Sequence, residues 1–277
     1  MANYVMTNIA TVSGTEMRVR RDARSRQENR SLWPLTISRT RRRPPRLPEG
    51  IRIYAFGDVH GRADLLDLVF ARIDADLAGR RGSRAIQVLL GDYVDRGPCS
   101  RGVLDRLVAR SSSHELVCLK GNHEGYMAEF LRNPSVLGAW RHIGGLETLI
   151  SYGLEPSLNP GEAERTTLAR ALRAALPDGH RGFLARLDPS FCCGDFFFAH
   201  AGVKPGIPLQ QQREEDLLWI RDDFLDCERD FGKMVVHGHT PVREPEIRPN
   251  RINIDTGAYA TGRLTCLMVE QDAIFLL

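Results

Sequence analysis

Short polar segments of the sequence carry side chains that could bind metal ions and phosphate groups. The central segment, residues 91–97, reads Gly-Asp-Tyr-Val-Asp-Arg-Gly and contains Asp92, Asp95 and Arg96. It directly follows the apolar run 85–90, which is typical of a buried strand. Two carboxylates and a guanidinium in seven residues are poor core material. The segment therefore predicts a functional loop at the end of a strand.

The same arrangement occurs upstream and downstream of this loop. The apolar run 51–56 is followed by Gly-Asp-Val-His-Gly, which contains Asp58 and His60. A further apolar run is followed by Lys-Gly-Asn-His-Glu, which contains Asn122 and His123. Because three successive strands end in glycine and metal-binding side chains, we interpret the three loops as parts of one site.

Two predicted strands in the last third of the chain also end in histidine. Residues 196–199 lead to His200, and residues 233–236 lead to His237 and His239. Either of the last two histidines could join His200 and the asparagine of the third loop in a second group of metal ligands.

The residue types indicate which metal and which reaction to expect. Imidazoles, carboxylates and one amide oxygen suit Mn²⁺, Fe or Zn²⁺ rather than a metal that prefers thiolates. Asp58 and His60 can share one site only if the backbone turns sharply, which the flanking glycines allow. Asp92 is the natural carboxylate to bridge two ions, and two ions ~3.5–4 Å apart make a bridging hydroxide available for in-line attack on phosphorus. Arg96 would supply a bidentate partner for the phosphate.

The segments between the loops predict the elements that position them. Amphipathic helices are expected at about 63–78 and 100–110, and a third helix should stop near Asn133 and Pro134. Repeated strand-loop-helix units predict parallel strands with right-handed crossovers. In such sheets, ligands collect beyond the C-terminal ends of the strands.

The middle of the chain, about 134–190, predicts a helical insert that we interpret as a cap shaping substrate access. Its later helices are expected at 166–176 and 183–187, separated by Pro-Asp-Gly. Its histidines, His142 and His180, lack ligand-like neighbours in sequence and are expected to be surface or packing residues. The last third is rich in strands, and the final ones are expected to form a meander.

Composition limits the class of protein. The chain has 277 residues, 42% of them hydrophobic, and can bury one sizeable core. No apolar run approaches the ~18 residues of a membrane helix, and the chain does not begin with a signal-peptide pattern, so we expect a cytoplasmic protein without membrane contacts. The six cysteines show no Cys-x-x-Cys spacing and are expected to be reduced, structural thiols.

The basic charge of the protein is concentrated at its start. Residues 1–50 contain 11 Arg, no Lys and 4 acidic residues, a balance of +7, so that −4 remains for the rest of a chain whose net charge is +3. Residues 1–48 have no sustained period and are predicted to be a mostly disordered extension, followed by a folded domain over 49–277. The arginines near residues 39–46 could contact nucleic acid or an acidic partner, but a solvated tail is the simpler interpretation.

The three motifs, in this order and about thirty residues apart, resemble those of the phosphoprotein phosphatase (PPP) family of calcineurin-like metallophosphoesterases. The resemblance is strongest to bacterial and phage serine/threonine protein phosphatases. It runs from about residue 51 to the end. It includes the segment from Trp140 to Gly153 with its Gly-Gly, Thr-Leu and Ser-Tyr-Gly, as well as Trp-Ile-Arg-Asp-Asp-Phe at 219–224 and Val-His-Gly-His-Thr-Pro at 236–241. It implies an α/β fold, namely a β-sandwich of two mixed sheets flanked by helices. It also implies two divalent ions per chain, with Mn²⁺ expected and Fe or Zn²⁺ as alternatives.

The resemblance implies a role for each matched position. The implied ligands are Asp58 and His60 for the first ion, Asp92 for both ions, and Asn122, His200 and His239 for the second.

The implied catalytic groups stand beside these ligands. His123 resembles the general acid that protonates the leaving alkoxide. Asp95 would orient the His123 ring and favour its protonated form. Arg96 and Arg221 resemble phosphate clamps, with Asn122 and His123 also contacting the phosphate. Arg221 has a simpler explanation, because Arg-Asp-Asp could be only a salt bridge at the start of a helix.

The implied activity is that of a metal-dependent phosphomonoesterase, most simply a serine/threonine protein phosphatase that uses a metal-bridging hydroxide. Its substrate would be a phosphorylated protein or a small phosphoester. The first alternative is symmetrical hydrolysis of dinucleoside tetraphosphates, whose enzymes typically depart from Val-Asp-Arg-Gly and carry Asp after Asn-His. Asp95 and Glu124 therefore favour the protein phosphatase pattern. The second alternative, a weakly active metal-bound interaction protein recruited through the arginine-rich extension, is disfavoured by the complete ligand set.

Overall fold

The computed structural model describes residues 33–34, 43–79 and 82–277. The strands of this part of the chain are β1 (Trp33–Pro34), β2 (Ile51–Phe56), β3 (Arg84–Leu89), β4 (Glu115–Cys118), β5 (Ser190–Cys193), β6 (Phe196–Ala199), β7 (Met234–His237), β8 (Glu246–Ile247), β9 (Arg251–Asn253), β10 (Cys266–Glu270) and β11 (Ala273–Leu276). Its α-helices are α1 (Ala63–Gly79), α2 (Ser100–Arg110), α3 (Asn122–Arg132), α4 (Leu137–Trp140), α5 (Gly145–Ser151), α6 (Glu162–Ala175), α7 (Asp178–Leu184), α8 (Glu214–Trp219), α9 (Asp222–Leu225) and α10 (Ala258–Thr261). Within the described residues, none of these helices has the length and apolar character needed to cross a bilayer.

Two mixed sheets form the centre of the domain. The six-stranded sheet has the order β1-β11-β10-β2-β3-β4, and the five-stranded sheet has the order β5-β6-β7-β9-β8. Strands β2, β3 and β4 are parallel, as are β6, β7 and β9. The three predicted strand-loop-helix units of the front half are confirmed, and so is the predicted sandwich of two mixed sheets flanked by helices.

Strand β2 shows how the core is divided. Its Ile53 and Ala55 belong to the apolar core that strands of both sheets share, whereas Tyr54 and Phe56 belong to the core that includes the helices. All four side chains are fully buried. A strand buried on both faces reads as a continuous apolar run in the sequence, and this run is what made β2 predictable.

The predicted helical insert, about 134–190, packs onto the helices of the front half. Helices α5 and α7 contact α2, and helix α6 contacts α3. Trp140 and Leu149 of the insert share a core with those helices. The predicted Pro-Asp-Gly break is wrong in position, because the break consists of the extended residues Leu176 and Pro177, and Asp178 already begins α7. A carboxylate in the first turn favours this earlier start, since it interacts well with the positive end of the helix dipole.

Residues 43–48, which were predicted to belong to the basic extension, contact the sandwich. Leu47 is buried in the core shared by the two sheets, and its backbone N–H donates to the carbonyl of Gln271 (2.9 Å). The backbone N–H of Arg46 donates to the carboxylate of Asp195 (3.1 Å). This segment therefore links the β5–β6 turn to the β10–β11 turn. Apart from Trp33–Pro34, the rest of the predicted extension lies outside the described residues.

The predicted meander at the C-terminal end is wrong in part. Strands β10 and β11 do form an antiparallel hairpin, but β9 belongs to the other sheet, where it pairs in parallel with β7. The chain leaves β9 through Asp255 and Gly257, and the positive φ of Gly257 (64°) allows the turn into helix α10. Sequence periodicity identifies strands but does not say which sheet each strand joins.

Candidate metal centre and active site

The predicted metal ligands, the predicted acid and its carboxylate partner are all buried. They are Asp58, His60, Asp92, Asp95, Asn122, His123, His200 and His239. Arg96 is half-buried and Arg221 is exposed. Buried polar groups require partners, because each one left unpaired costs ~1–3 kcal/mol. The fold therefore gathers groups that must be satisfied by one another or by a ligand.

The loops that carry these groups have an unusual backbone. Six non-glycine residues within the described ranges have a positive φ, and five of them are predicted site residues. Those five are His60, Asp92, Asp95, Arg96 and His239. Gly97 lets two of the loops touch, because a Cβ on it would lie 2.0 Å from the carbonyl oxygen of His60. Such strain persists only where the surrounding structure over-determines the backbone, and it clusters at functional sites.

The first group that could hold an ion consists of His60, Asp92 and His123, whose ligand atoms lie within 4.8 Å of one another. Nε2 of His60 lies 3.4 Å from Oδ2 of Asp92. The Nδ1–H of His60 donates to the carbonyl of Val94 (2.9 Å). That bond fixes the tautomer and leaves the lone pair of Nε2 available to a metal ion.

Asp92 is shared with the second group, which includes His200 and His239. The Nδ1–H of His200 donates to the carbonyl of Leu90 (2.9 Å), so Nε2 carries the lone pair. This Nε2 lies 3.5 Å from Oδ1 of Asp92, 2.9 Å from Oδ1 of Asn122 and 3.1 Å from Nδ1 of His239. The lone pair of His200 and the oxygens of Asp92 and Asn122 repel one another at such short range, and a shared cation would relieve that repulsion.

Asp58 and Asp255 add buried negative charge beside these groups. Oδ2 of Asp58 accepts a hydrogen bond from the backbone N–H of His239 (3.0 Å), but Oδ1 is buried without a partner among the described residues. Burial, followed by the charges of Asp255 and Asp92, raises the pKa of Asp58 well above its usual range. Burial likewise raises the pKa of Asp255 to about 6. Asp255 was not predicted, although it follows a strand just as the predicted ligands do.

The residues present therefore fit a pair of divalent ions that share Asp92. Burial is the main reason that the pKa values of His60 and His200 lie well below the ordinary value, so both rings are neutral and can bind a cation. The donor set of imidazole, carboxylate and amide suits Mn²⁺, Fe or Zn²⁺. The Nη1 of Arg96 donates to Nε2 of His60 (3.0 Å), so a positive charge already stands at that lone pair.

The His-Gly-His motif and Arg221 lie at different distances from the ligand groups. Of His237 and His239, only His239 lies in a ligand group, whereas His237 is buried against the ring of Phe224 (4.9 Å between centroids). Arg221 precedes helix α9 and donates to the hydroxyl of Thr240 (3.2 Å). Burial and then the charge of Arg221 lower the pKa of His239 to about 3. Arg221 thus stands at the edge of the second ligand group.

His123 and Asp95 form a tightly held pair. The Nδ1–H of His123 donates to Oδ2 of Asp95 (2.7 Å), which also accepts from Nε1 of Trp140 (2.6 Å). The hydroxyl of Thr148 donates to Oδ1 (2.6 Å). Burial alone would lower the pKa of His123, but the charge of Asp92 and the bond to Asp95 raise it above the ordinary value. The insert therefore positions the predicted acid through Trp140 and Thr148, to which the sequence reasoning gave no role.

Glu124 holds the central loop in place. Its Oε1 accepts from the backbone N–H of Tyr93 (2.7 Å) and Val94 (3.3 Å). Its Oε2 accepts from the N–H of Asp92 (2.9 Å) and Gly121 (3.0 Å). Because the side chain is buried beneath the loop, Glu124 acts on the substrate only through that loop. Its position three residues into the start of α3 is a capping signal that could have revealed this role.

A model of the family described as calcineurin-like phosphoesterase matches residues 51–267, which include all the ligand groups above. The chain belongs to the calcineurin-like phosphoesterase family. Enzymes of this family use divalent metal ions, and the two groups that share Asp92 are the candidate places for them.

Several similar calcineurin-like phosphoesterases are named asymmetrical bis(5'-nucleosyl)-tetraphosphatase PrpE. The protein from Anoxybacillus flavithermus is 27% identical over 229 residues, which are 76% of this chain and 87% of its own length. The protein from Bacillus velezensis is 32% identical over 193 residues, 64% of this chain and 72% of its own. The zinc-dependent endopolyphosphatase of Saccharomyces cerevisiae is 29% identical over 164 residues, 55% of this chain and 48% of its own.

Solved structures show the same fold. A protein assigned as a diadenosine tetraphosphatase superposes with a TM-score of 0.54 at 22% identity, covering 82% of this chain and 92% of its own. A cold-active protein tyrosine phosphatase superposes with a TM-score of 0.50 at 16% identity, covering 81% of this chain and 77% of its own.

Proposed function

We propose that this calcineurin-like phosphoesterase hydrolyses dinucleoside tetraphosphates asymmetrically, with two divalent ions at the shared site. The observation that carries the reaction class is the position of Asp92 in both ligand groups, which would set two ions side by side. The substrate class is supported by the PrpE proteins, of which this chain covers 72–87% in the two cases above. Mn²⁺ is the proposed metal, with Fe or Zn²⁺ as alternatives.

The proposed ligands are those expected from the sequence, so that Asp58, beside the first group, replaces His123, which belongs to that group but is proposed as the acid. They are Asp58, His60, Asp92, Asn122, His200 and His239. The chemistry that two divalent ions supply when bound is activation of a water molecule and neutralisation of charge on the phosphoryl oxygens. The chain contributes the fixed tautomers of its histidines and the buried carboxylates, so that little has to move when the substrate arrives.

His123 is the proposed general acid. Because Nδ1–H is held by Asp95, Nε2 is the atom that faces the site and would give its proton to the leaving oxygen. Arg96 and Arg221 are the proposed phosphate clamps. Arg96 stands at the first ligand group and Arg221 at the second, so the two could hold neighbouring phosphates of one polyphosphate chain.

The second candidate is the serine/threonine protein phosphatase activity expected from the sequence. The observation that favours it is the completeness of the acid pair, in which Asp95 accepts three side-chain hydrogen bonds. A serine alkoxide is a poor leaving group and needs a proton from His123, whereas a nucleoside phosphate leaves with much less help. The His123–Asp95 pair should therefore accelerate hydrolysis of a phosphoserine more than hydrolysis of a dinucleoside tetraphosphate.

A product analysis separates these candidates. Metal-loaded protein is incubated with diadenosine tetraphosphate or with phosphoserine and phosphothreonine peptides, and the products are resolved by ion-exchange chromatography. We expect ATP and AMP from the dinucleotide, at a kcat/KM at least about tenfold above that for any peptide. Two ADP molecules would contradict asymmetrical cleavage, and faster turnover of the peptides would favour the second candidate.

Two variants serve as controls that any activity measured comes from this protein and not from contaminating phosphatases. Asp92→Asn removes the shared charge, and His123→Asn removes the acid. We expect kcat to fall about 10²-fold or more for Asp92→Asn on both substrates, and for His123→Asn on the phosphopeptides, whose alkoxide leaving group needs a proton, since one general acid contributes ~10²–10⁴-fold. Full activity of either variant on those substrates would contradict the assigned roles.

A further inference from the structure

Trp219 is a large aromatic side chain left partly in water beside the candidate metal centre. It ends helix α8 and is 43% exposed. Its ring meets that of His239, a proposed metal ligand, at 6.0 Å and nearly at right angles. The ring of Tyr126 supports it from another side at 5.8 Å, again nearly at right angles. The indole is therefore held in place while much of its surface remains uncovered, as a stacking surface requires.

A surface cavity of about 450 Å³ adjoins this indole and has Trp219 and Arg221 in its lining. This volume lies within the range of small-molecule sites. Three of the lining side chains are basic and four are acidic, so the cavity carries a slight negative charge. Lys204 and Arg213 are each paired with a neighbouring carboxylate of the lining. The cavity is thus a poor place for a chain of phosphates and a suitable place for an uncharged group that donates hydrogen bonds.

Two carboxylates of the cavity remain available as acceptors. Asp216 and Asp222 line it, and neither side chain forms a hydrogen bond or a close ion pair within the described part of the chain. Carboxylates in nucleotide sites accept hydrogen bonds from ribose hydroxyl groups. An indole next to such carboxylates matches a nucleoside, which combines a flat aromatic base with a hydroxylated sugar.

The other exposed aromatic at the site has a different function. Tyr259 is 40% exposed and contacts the ring of His60 at 5.5 Å. The guanidinium of Arg96 lies over its ring, 4.9 Å from the centroid. Because one face of Tyr259 already supports the arginine, this tyrosine is suited to positioning the phosphate clamp. Among the residues that the structure describes, Trp219 is then the exposed aromatic at the site that remains for a base.

We infer that Trp219 and the adjoining cavity form a nucleoside subsite, in which a base stacks on the indole while the phosphates extend past Arg221 to the metal centre. This subsite rests on the proposed function, since it names the part of the site that would recognise the nucleoside of the substrate. It would make Trp219 a specificity-determining residue for nucleotides over phosphopeptides.

The test compares two inhibitors of p-nitrophenyl phosphate hydrolysis by the metal-loaded protein. ATP carries a nucleoside, whereas inorganic tripolyphosphate has the same phosphate chain without one. In Trp219→Ala, we expect the Ki of ATP to rise about 5- to 150-fold, the range for loss of one base–aromatic stack. The Ki of tripolyphosphate should change less than about twofold, and Trp219→Phe should restore most of the ATP affinity because a ring remains.

Tyr259→Ala is the matched control, because Tyr259 is equally exposed at the opposite flank. It should raise the Ki of both inhibitors by a similar factor, since it releases the arginine that holds phosphate. Equal changes for ATP and tripolyphosphate in Trp219→Ala, or no change for either, would overturn the nucleoside subsite. So would a phosphopeptide whose Ki rises while that of ATP stays constant. This readout does not require turnover of a dinucleotide, so the subsite and the proposed substrate can fail separately.

Discussion

Replacement of Glu124 by glutamine should destabilise the domain far more than loss of one charge would suggest. The two carboxylate oxygens of Glu124 accept four backbone N–H groups, from Asp92, Tyr93, Val94 and Gly121. A glutamine has the same shape but only one acceptor oxygen. Its amide nitrogen would face two of these buried N–H groups as a second donor, which leaves both without an acceptor.

The expected magnitude follows from this geometry. A buried donor without an acceptor costs ~1–3 kcal/mol, so two of them should lower the free energy of unfolding of Glu124→Gln by about 2–6 kcal/mol. The free energy of unfolding of a typical domain is ~5–15 kcal/mol, so this loss would be a large fraction of it. Burial, followed by the charge of Asp92, raises the pKa of Glu124 to about 7. Measurement at pH 8 therefore compares an ionised carboxylate with the neutral amide.

Urea denaturation followed by circular dichroism, in the presence of a chelator, gives the free energy of unfolding without a contribution from bound metal. Glu129→Gln is the matched control, because Glu129 lies on the same helix and its side chain, within the described part of the chain, forms only an exposed pair with Arg132 (2.8 Å). That control should lose no more than about 0.5 kcal/mol. If the free energies of unfolding of Glu124→Gln and Glu129→Gln differ by less than ~1 kcal/mol, Glu124 does not support the central loop as described.

Further perturbations test other parts of the structure. Asp95→Asn removes a charge that raises the pKa of His123. Activity on phosphoserine peptides requires the protonated acid and declines as pH rises through this pKa. The decline should therefore occur at a lower pH in the variant than in the wild type. Leu47→Ala should lower the free energy of unfolding by about 2–5 kcal/mol in urea titrations, because this residue is buried between the sheets. His180 is held neutral because burial lowers its pKa. Because the folded protein resists protonation of this ring, the free energy of unfolding should fall as pH drops below ~6.5. In a His180→Asn variant, the free energy of unfolding should fall by less between pH 7 and 5. A denaturation curve that stays unchanged by Leu47→Ala, or pH profiles that coincide with those of wild type, would contradict these assignments.

The strand-end motifs predicted the site because they mark the end of each strand locally, and the fold brings those strand ends together. Asp58 and Asp92 follow parallel strands of one sheet, and His200 follows a parallel strand of the other. Within each sheet, parallel strands bring their C-terminal ends to the same edge. The sequence could not show contacts between distant segments. Trp140 and Thr148 reach Asp95 from the insert, 45 and 53 residues further along the chain. Nothing in their local pattern marks them as partners of a carboxylate.

The substrate was harder to predict than the metal centre for a related reason. The sequence favoured a protein phosphatase on the basis of Asp95 and Glu124, and both side chains are buried beneath the site. They act on the acid and on the central loop, which serve any phosphoryl substrate. Recognition of the rest of a substrate depends on the exposed rim, where Trp219 and Arg221 stand. The sequence motif at 219–224 suggested a phosphate-binding role for Arg221, but it did not indicate that the Trp219 side chain would stand exposed at this rim.

A count of bound metal tests the central claim most directly. Protein stripped of metal is dialysed to equilibrium against Mn²⁺, and the ions per chain are measured by mass spectrometry of the digested protein. We predict two ions per chain in the wild type, about one in His60→Ala and in His239→Ala, and fewer than either in Asp92→Ala. A count of two that survives Asp92→Ala, or a wild-type count near zero with retained turnover, would contradict a pair of ions that share this carboxylate.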